Sequence, residues 1–198
     1  MLRPLLTCGW LACVVYSTIP AFWLLVHRHT DYWRGRTRSP YRVLLPLWMS
    51  LWLVVGTITA PWRHRVFYHN GWMWLPAAFL FVLGFWLYRK SGAQFSVKQL
   101  SGLPELEADH VQRLVTSGIR AHLRHPVYLA HLCEMLAWST GTGLAVCLGL
   151  SAMSVLTGIV MIRAEDAELE ERFGEPFRVY RQSVPAILPR LGHSHVRL

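Results

Sequence analysis

Apolar residues in this chain fall into five long runs rather than into alternating or amphipathic patterns. The runs cover residues 5–26, 43–60, 72–88, 127–140 and 144–162. A membrane-crossing helix needs roughly 20 apolar residues at about 1.5 Å each. The first, second, third and fifth runs meet or approach that length. The fourth is short and contains His131 and Glu134; Gly141-Thr142-Gly143 joins it to the fifth as a hairpin. Backbone groups in lipid must pair within their own segment, so the runs predict helices. The first run is longer than a secretory leader, is followed by no A-x-A site, and leads into more apolar sequence, so it reads as a retained helix. Ser154 and Gly158 give the fifth run a small-xxx-small spacing that permits close helix packing.

The pattern breaks after Ile162. Residues 164–173 are rich in Glu and Arg and extend the fifth helix into water, until Gly174 and Pro176 stop it. Phe177, Tyr180 and Val184 then share one face opposite Arg178 and Arg181, which predicts a short interfacial helix lying against the membrane. Pro185 and Pro189 end it. The fold expected is all-α: an integral membrane bundle of about five transmembrane helices. It forms a single membrane domain, 1–198. Three helices fill 1–88, a loop 89–125, a helical hairpin 126–162, and a tail 163–198 completes the site.

Composition agrees with a membrane protein. Of 198 residues, 53% are hydrophobic and only 16% charged, below the roughly 25% of soluble domains. A net charge of +9 would suggest nucleic acid in a soluble protein, but here Lys and Arg crowd into the loops, so no nucleic-acid partner is expected. The first loop holds Arg28, Arg34, Arg36, Arg38 and Arg42; the second only Arg63 and Arg65; the third Arg89, Lys90, Lys98, Arg113, Arg120 and Arg124. Short basic loops stay cytoplasmic, which places the N-terminus outside and the tail, with Arg163, Arg172, Arg178 and Arg181, inside. Cys8, Cys13, Cys133 and Cys147 lie in apolar sequence with no zinc spacing, so neither a disulfide framework nor a metal site is expected. Facing intramembrane histidines for haem are missing, and His131 with Glu134 is at most half a metal site. That pair reads as polar groups facing the bundle interior, lining a substrate cavity.

Two segments carry more polar chemistry than packing requires. In residues 114–118 and 124–128, Gly118 permits a bend, Pro126 suits a first helical turn, and His125 and Tyr128 flank that turn. Such a helix start offers N–H donors to a carboxylate and ring faces to a flat base; a capped helix with interfacial aromatics is the structural alternative. In residues 163–169, Arg163 can hold an anionic head group or simply snorkel, beside Glu165 and Asp166.

LVTSG, RHPVY, then E-D-x-x-L-x-x-x-F-G, a Tyr, and V-P-x-x-x-P resemble, in that order, the isoprenylcysteine carboxyl methyltransferase family and its bacterial relatives, over roughly residues 89–189. The resemblance implies a membrane methyltransferase that uses S-adenosylmethionine without a dinucleotide-type domain. It implies cofactor contacts from Gln112, Arg113, Leu114 and Val115 in the cytoplasmic loop, and from His125, Pro126, Val127 and Tyr128. Glu165 falls on the first Glu of the family pair, on the substrate side, and Arg163 is the available substrate cation. This chain departs at three places. Arg120 stands where the family has an aromatic, and it is a candidate partner for the cofactor carboxylate. Asp166 replaces the second Glu. Met161 occupies the family arginine's place, with Arg163 about 200° around the helix from it.

The implied reaction is O-methylation of a carboxylate on a lipophilic, prenylcysteine-like substrate, with membrane lipid as the other partner. N-methylation of an ethanolamine phospholipid is the alternative. A non-catalytic membrane subunit or transporter is the alternative of another class, though no inverted repeat is visible. A carboxylate with a pKa near 4 needs no base at neutral pH, whereas an amine would need Glu165 as one. Oligomeric state is not legible.

Overall fold

A computed structural model describes residues 2–29, 32, 41–92 and 113–188. Among them are six α-helices: α1 (Leu2–Arg28), α2 (Tyr41–Thr59), α3 (Trp74–Gly92), α4 (Pro126–Thr142), α5 (Ala145–Phe173) and α6 (Glu175–Ser183). Among the described residues there is no strand, only one antiparallel bridge between Val66 and Leu144. Four helices, α1, α2, α3 and α5, are long and apolar enough to cross a membrane. The fourth apolar run forms α4, whose 17 residues span about 25 Å. It is buried on several sides, packed against α3, α5 and α1. The predicted helical bundle is therefore present, with four full-length spans and a shorter fifth helix held among them.

The helices alternate in direction. Phe22 and Val26 near the end of α1 cluster with Leu44 near the start of α2. At the other end, Trp10 Nε1 donates to Thr59 Oγ1 at 2.9 Å. Leu87 near the end of α3 clusters with Leu123 and with Ala130 early in α4. His27 reaches Glu165 at the far end of α5. The ends of α1, α3 and α5 and the starts of α2 and α4 thus share one end of the bundle. Arg28, Arg42, Arg120 and Arg124 lie at that end.

Opposite them, the α4–α5 turn is tied to the loop before α3. Phe67 N–H donates to Gly143 O at 2.8 Å, and Tyr68 Oη donates to Thr140 O at 2.6 Å. Gly143 has φ +66°, and any Cβ there would run into the Tyr68 backbone, so this turn requires glycine. The central core joins Leu6, Trp10, Cys13 and Val14 of α1 to Met135 of α4 and to Leu144, Cys147 and Leu150 around the start of α5.

The short C-terminal helix exists where the sequence places it, but its apolar face does not meet lipid. Phe177, Tyr180 and Val184 are 1–8% exposed and pack with Leu114, Leu169 and Phe173. Its polar face is turned outward: Arg178 and Arg181 pair with Glu170 at 2.8 and 2.7 Å. The helical spacing was read correctly; periodicity cannot say whether an apolar face will find protein or membrane.

Candidate active site

The fifth helix runs without a break past its apolar run, and this continuation brings carboxylates to the common end of the bundle. Glu165 and Asp166 meet His125, the residue immediately before α4. His125 Nδ1 lies 3.1 Å from Glu165 Oε2, and its Nε2 lies 3.1 Å from Asp166 Oδ1. Both ring nitrogens donate only in the imidazolium. Burial pushes the His125 pKa down, but the Glu165 charge and the bonds to Asp166 and Glu165 outweigh it and raise it to about 9.

That shift has a sign. His125 ordinarily titrates near 6.5, so its protonated form stabilises the fold fully below that pH, and the contribution is lost as pH rises through about 9. Thermal unfolding of the purified protein should therefore show a falling midpoint between neutral pH and about 9.5. His125→Asn should flatten that slope; an unchanged slope would mean that the ring is neutral in the folded protein.

Arg124 closes the cluster. Its Nη2 is 2.6 Å from Asp166 Oδ2, its Nε is 3.3 Å from Asp166 Oδ1, and Nη1 donates to the carbonyls of Arg181, at 3.2 Å, and Val184. The backbone continues the same clamp: Arg124 N–H donates to Pro185 O and His125 N–H to Ala186 O, each at 2.9 Å. Residues 184–187 are thereby strapped across the start of α4. Ala186 and Ile187 pack with Tyr128, Met161 and Ile162, together with Trp23 and Leu24 of α1.

The first helix adds a residue that the motifs did not contain. His27 is buried, with Nε2 at 4.0 Å from Glu165 Oε2 and Nδ1 at 3.5 Å from Glu168 Oε2. Its ring stacks on Trp23 at 5.8 Å. Arg172 pairs with Glu168 one turn on. Nothing in sequence spacing could have found His27, which is separated from Glu165 by most of the chain. Arg124 and Asp166 were visible only as letters in motifs, without a role.

The remaining predicted site residues are distributed unevenly. Pro126 opens α4 at its first position and is buried. Tyr128 lies against α5: its hydroxyl donates to Ser154 O, and a Cβ on Gly158 would overlap its ring. The small-residue spacing of α5 is thus a seat for Tyr128. Val127 and Val115 are half-buried; Leu114 packs under α6, and Arg113 is exposed. Gln112 lies outside the described residues. Arg120 sits in the turn before α4; its Nη1 donates to Arg124 O at 3.0 Å, and its own carbonyl accepts from Tyr180 Oη at 2.7 Å. Arg163 is exposed, seven residues on from the outward-facing Leu156, and stands apart from the His125 cluster.

The residues present fit S-adenosylmethionine. Arg113 to Ser117 form no regular element, and Leu114 among them packs on the α6 cluster that includes Val184. Because Pro126 occupies the first helical position, the amide N–H groups of Val127 and Tyr128 have no partner within the helix and can receive a carboxylate. Arg120 brings a cation to the same corner.

These features define a class: a multi-pass helical membrane protein with a buried, ion-paired polar centre at one end of its bundle. No family model matches the chain. Among curated proteins it is similar to the protein-S-isoprenylcysteine O-methyltransferase of Schizosaccharomyces pombe. That match is 34% identical over 88 residues, covering 41% of this chain and 34% of the relative. The human enzyme of the same name is 29% identical over 122 residues, 59% of this chain and 42% of the relative. The mouse Delta(14)-sterol reductase is 26% identical over 131 residues, 60% of this chain and 31% of the relative. The matches span between 31% and 53% of the relatives' own lengths. The chain is related to the isoprenylcysteine carboxyl methyltransferase family.

Proposed function

We propose that this chain acts as one membrane domain, an S-adenosylmethionine-dependent methyltransferase that O-methylates a carboxylate on a lipophilic, prenylcysteine-like substrate. The observation that carries the choice of acceptor is the His125 cluster. Glu165 faces an imidazolium at 3.1 Å, with His27 on its other side. A carboxylate held by an imidazolium is a poor base, and an amine acceptor would need one. A carboxylate acceptor is already ionised and needs only orientation and exclusion of water.

S-adenosylmethionine, when bound, supplies an electrophilic methyl group. Gln112, Arg113, Leu114 and Val115, with the first-turn amides of Val127 and Tyr128, would hold it, and Arg120 would balance its carboxylate. Arg124 and the strap of residues 184–187 keep His125 and Pro126 in place. Glu165 and Asp166 fix the imidazole between them. Arg163, on the lipid-facing side of α5, would attract an anionic head group to the membrane surface before it reaches the centre. The arginines at this end of the bundle support a site that faces the cytoplasm.

Purified protein should bind labelled S-adenosylmethionine and transfer its methyl group to lipophilic acids, giving a product that releases methanol in alkali. Glu165→Gln should slow transfer by a factor nearly constant between about pH 6 and 9, because the acceptor stays ionised throughout. A base-stable product, or a loss that shrinks as pH rises, would assign an amine acceptor with Glu165 as its base.

A further inference from the structure

A second polar group of side chains lies inside the apolar runs, away from the His125 centre. Tyr16 of α1 donates to Glu134 Oε2 of α4 at 2.5 Å. The His131 ring sits between two phenols, 5.3 Å from Tyr16 and 5.4 Å from Tyr88 of α3. Two polar atoms of this group are left over. His131 Nδ1 is buried with no hydrogen-bond partner among the described residues. Glu134 bonds through Oε2, while its second oxygen has no partner among the described residues.

Ionisable groups within a membrane are costly and tend to mark where something polar binds or passes. Tyr16, Tyr88, His131 and Glu134 are each only half-buried, so the group is not sealed within protein. Two rows of residues lead from it toward the centre. On α4 the row is Glu134, His131, Val127, at spacings of three and four. On α1 it is Tyr16, Pro20, Trp23, His27, at spacings of four, three and four. The second row ends on the histidine that touches Glu165 and Glu168. His131 lies six residues from His125, about 9 Å along the helix axis.

We propose that this group binds a hydroxyl carried on the buried part of a lipophilic acid whose carboxylate sits at the His125 end of the bundle, about 9 Å away along the helix axis. The inference rests on the carboxylate-acceptor reading, and narrows it from any apolar tail to a hydroxylated one. A hydroxyl donates and accepts through one atom. It can give its proton to the open Glu134 oxygen and take one from His131 Nδ1. A plain hydrocarbon tail at this level would leave both atoms without a partner.

The test is displacement of tritiated palmitic acid from the purified protein by positional isomers of hydroxypalmitic acid. The isomer whose hydroxyl reaches this group should displace at least about tenfold better than palmitic acid itself, because a site built for a hydroxyl rejects the analogue lacking it. His131→Phe should keep palmitic acid affinity and lose the preference. His131 Nδ1 bonds nothing among the described residues, so a merely structural histidine would not give that result; Glu134→Gln, closest in shape, is the second variant and should reduce the preference. Equal affinity for every isomer, or a preference that survives in His131→Phe, overturns the proposal, and no displaceable binding of any acid overturns it too. Displacement needs no methyl transfer. Isomer preference without ester formation would therefore refute the carboxylate reading alone, and ester formation without preference would refute the hydroxyl site alone.

Discussion

Arg124→Ala should be the most damaging single substitution in the chain. One guanidinium holds Asp166 and the carbonyls of Arg181 and Val184, and Arg124 as a whole is 8% exposed. Removing it leaves Asp166 Oδ2 and two carbonyls without their donor, with His125 Nε2 still on Asp166 Oδ1. Breaking a buried pair from one side costs about 3–5 kcal/mol, a large share of the stability of most domains. The loss should also be local. Residues 184–187 would lose their side-chain tether and keep only backbone bonds and apolar packing, and the strap should loosen. Limited proteolysis checks this: cleavage beyond Tyr180 should appear in Arg124→Ala under conditions where the parent protein resists. Arg124→Lys restores charge but not the fork, and should recover only part of the loss. Equal protease resistance in all three proteins would show that the strap is held by Ala186 and Ile187 packing instead.

Gly158→Ala is expected to rank second. A Cβ built there sits 2.6 Å from Tyr128 Cε1 and closer still to the phenol end of the ring. The ring cannot retreat without giving up its bond to Ser154 O. Overpacking of this kind costs about 1–3 kcal/mol, and the lost hydrogen bond adds to it. The double variant Gly158→Ala with Tyr128→Ala should be less unstable than the sum of the two single variants, since the second change removes the clash. Thermal unfolding of all four proteins gives the comparison. Additive losses would mean that α4 and α5 shift apart to admit the methyl group. Because Tyr128 seats α4 on α5 beside His125, both single variants should also weaken cofactor binding under the proposed function.

Most of the architecture was legible in the chain. A run of about 20 apolar residues has one stable form in lipid, so the helices at 5–26, 43–60, 72–88 and 144–162 could be placed by counting. The fourth run was harder. Its 14 residues, 127–140, fall short of a span, and the structure extends the helix to Thr142 and buries it among its neighbours. The RHPVY motif lies at the start of α4, and two of its side chains have partners within the fold. Arg124 and Tyr128 spend their polar groups on the C-terminal strap and on α5. A motif shows which residues occur together; it does not show which of them face a ligand and which face the fold.

The limits of each kind of information follow from range. Local rules act over a few residues: hydropathy along a run, proline at a first turn, glycine at a helix stop, charge in a short loop. These determined the helices, their alternating directions and the end of the bundle where arginine gathers. What only the tertiary structure decided are contacts between residues far apart in sequence. His27 beside Glu165, Arg124 on Val184, the apolar face of α6 under Leu114 and Leu169, and Tyr16 on Glu134 are of this kind. Each depends on how helices cross and rotate about their axes, and a rotation of about 100° separates neighbouring residues. That is why Arg163, two positions from Glu165, stands outside the centre, while His27, at the end of another helix, lies within it.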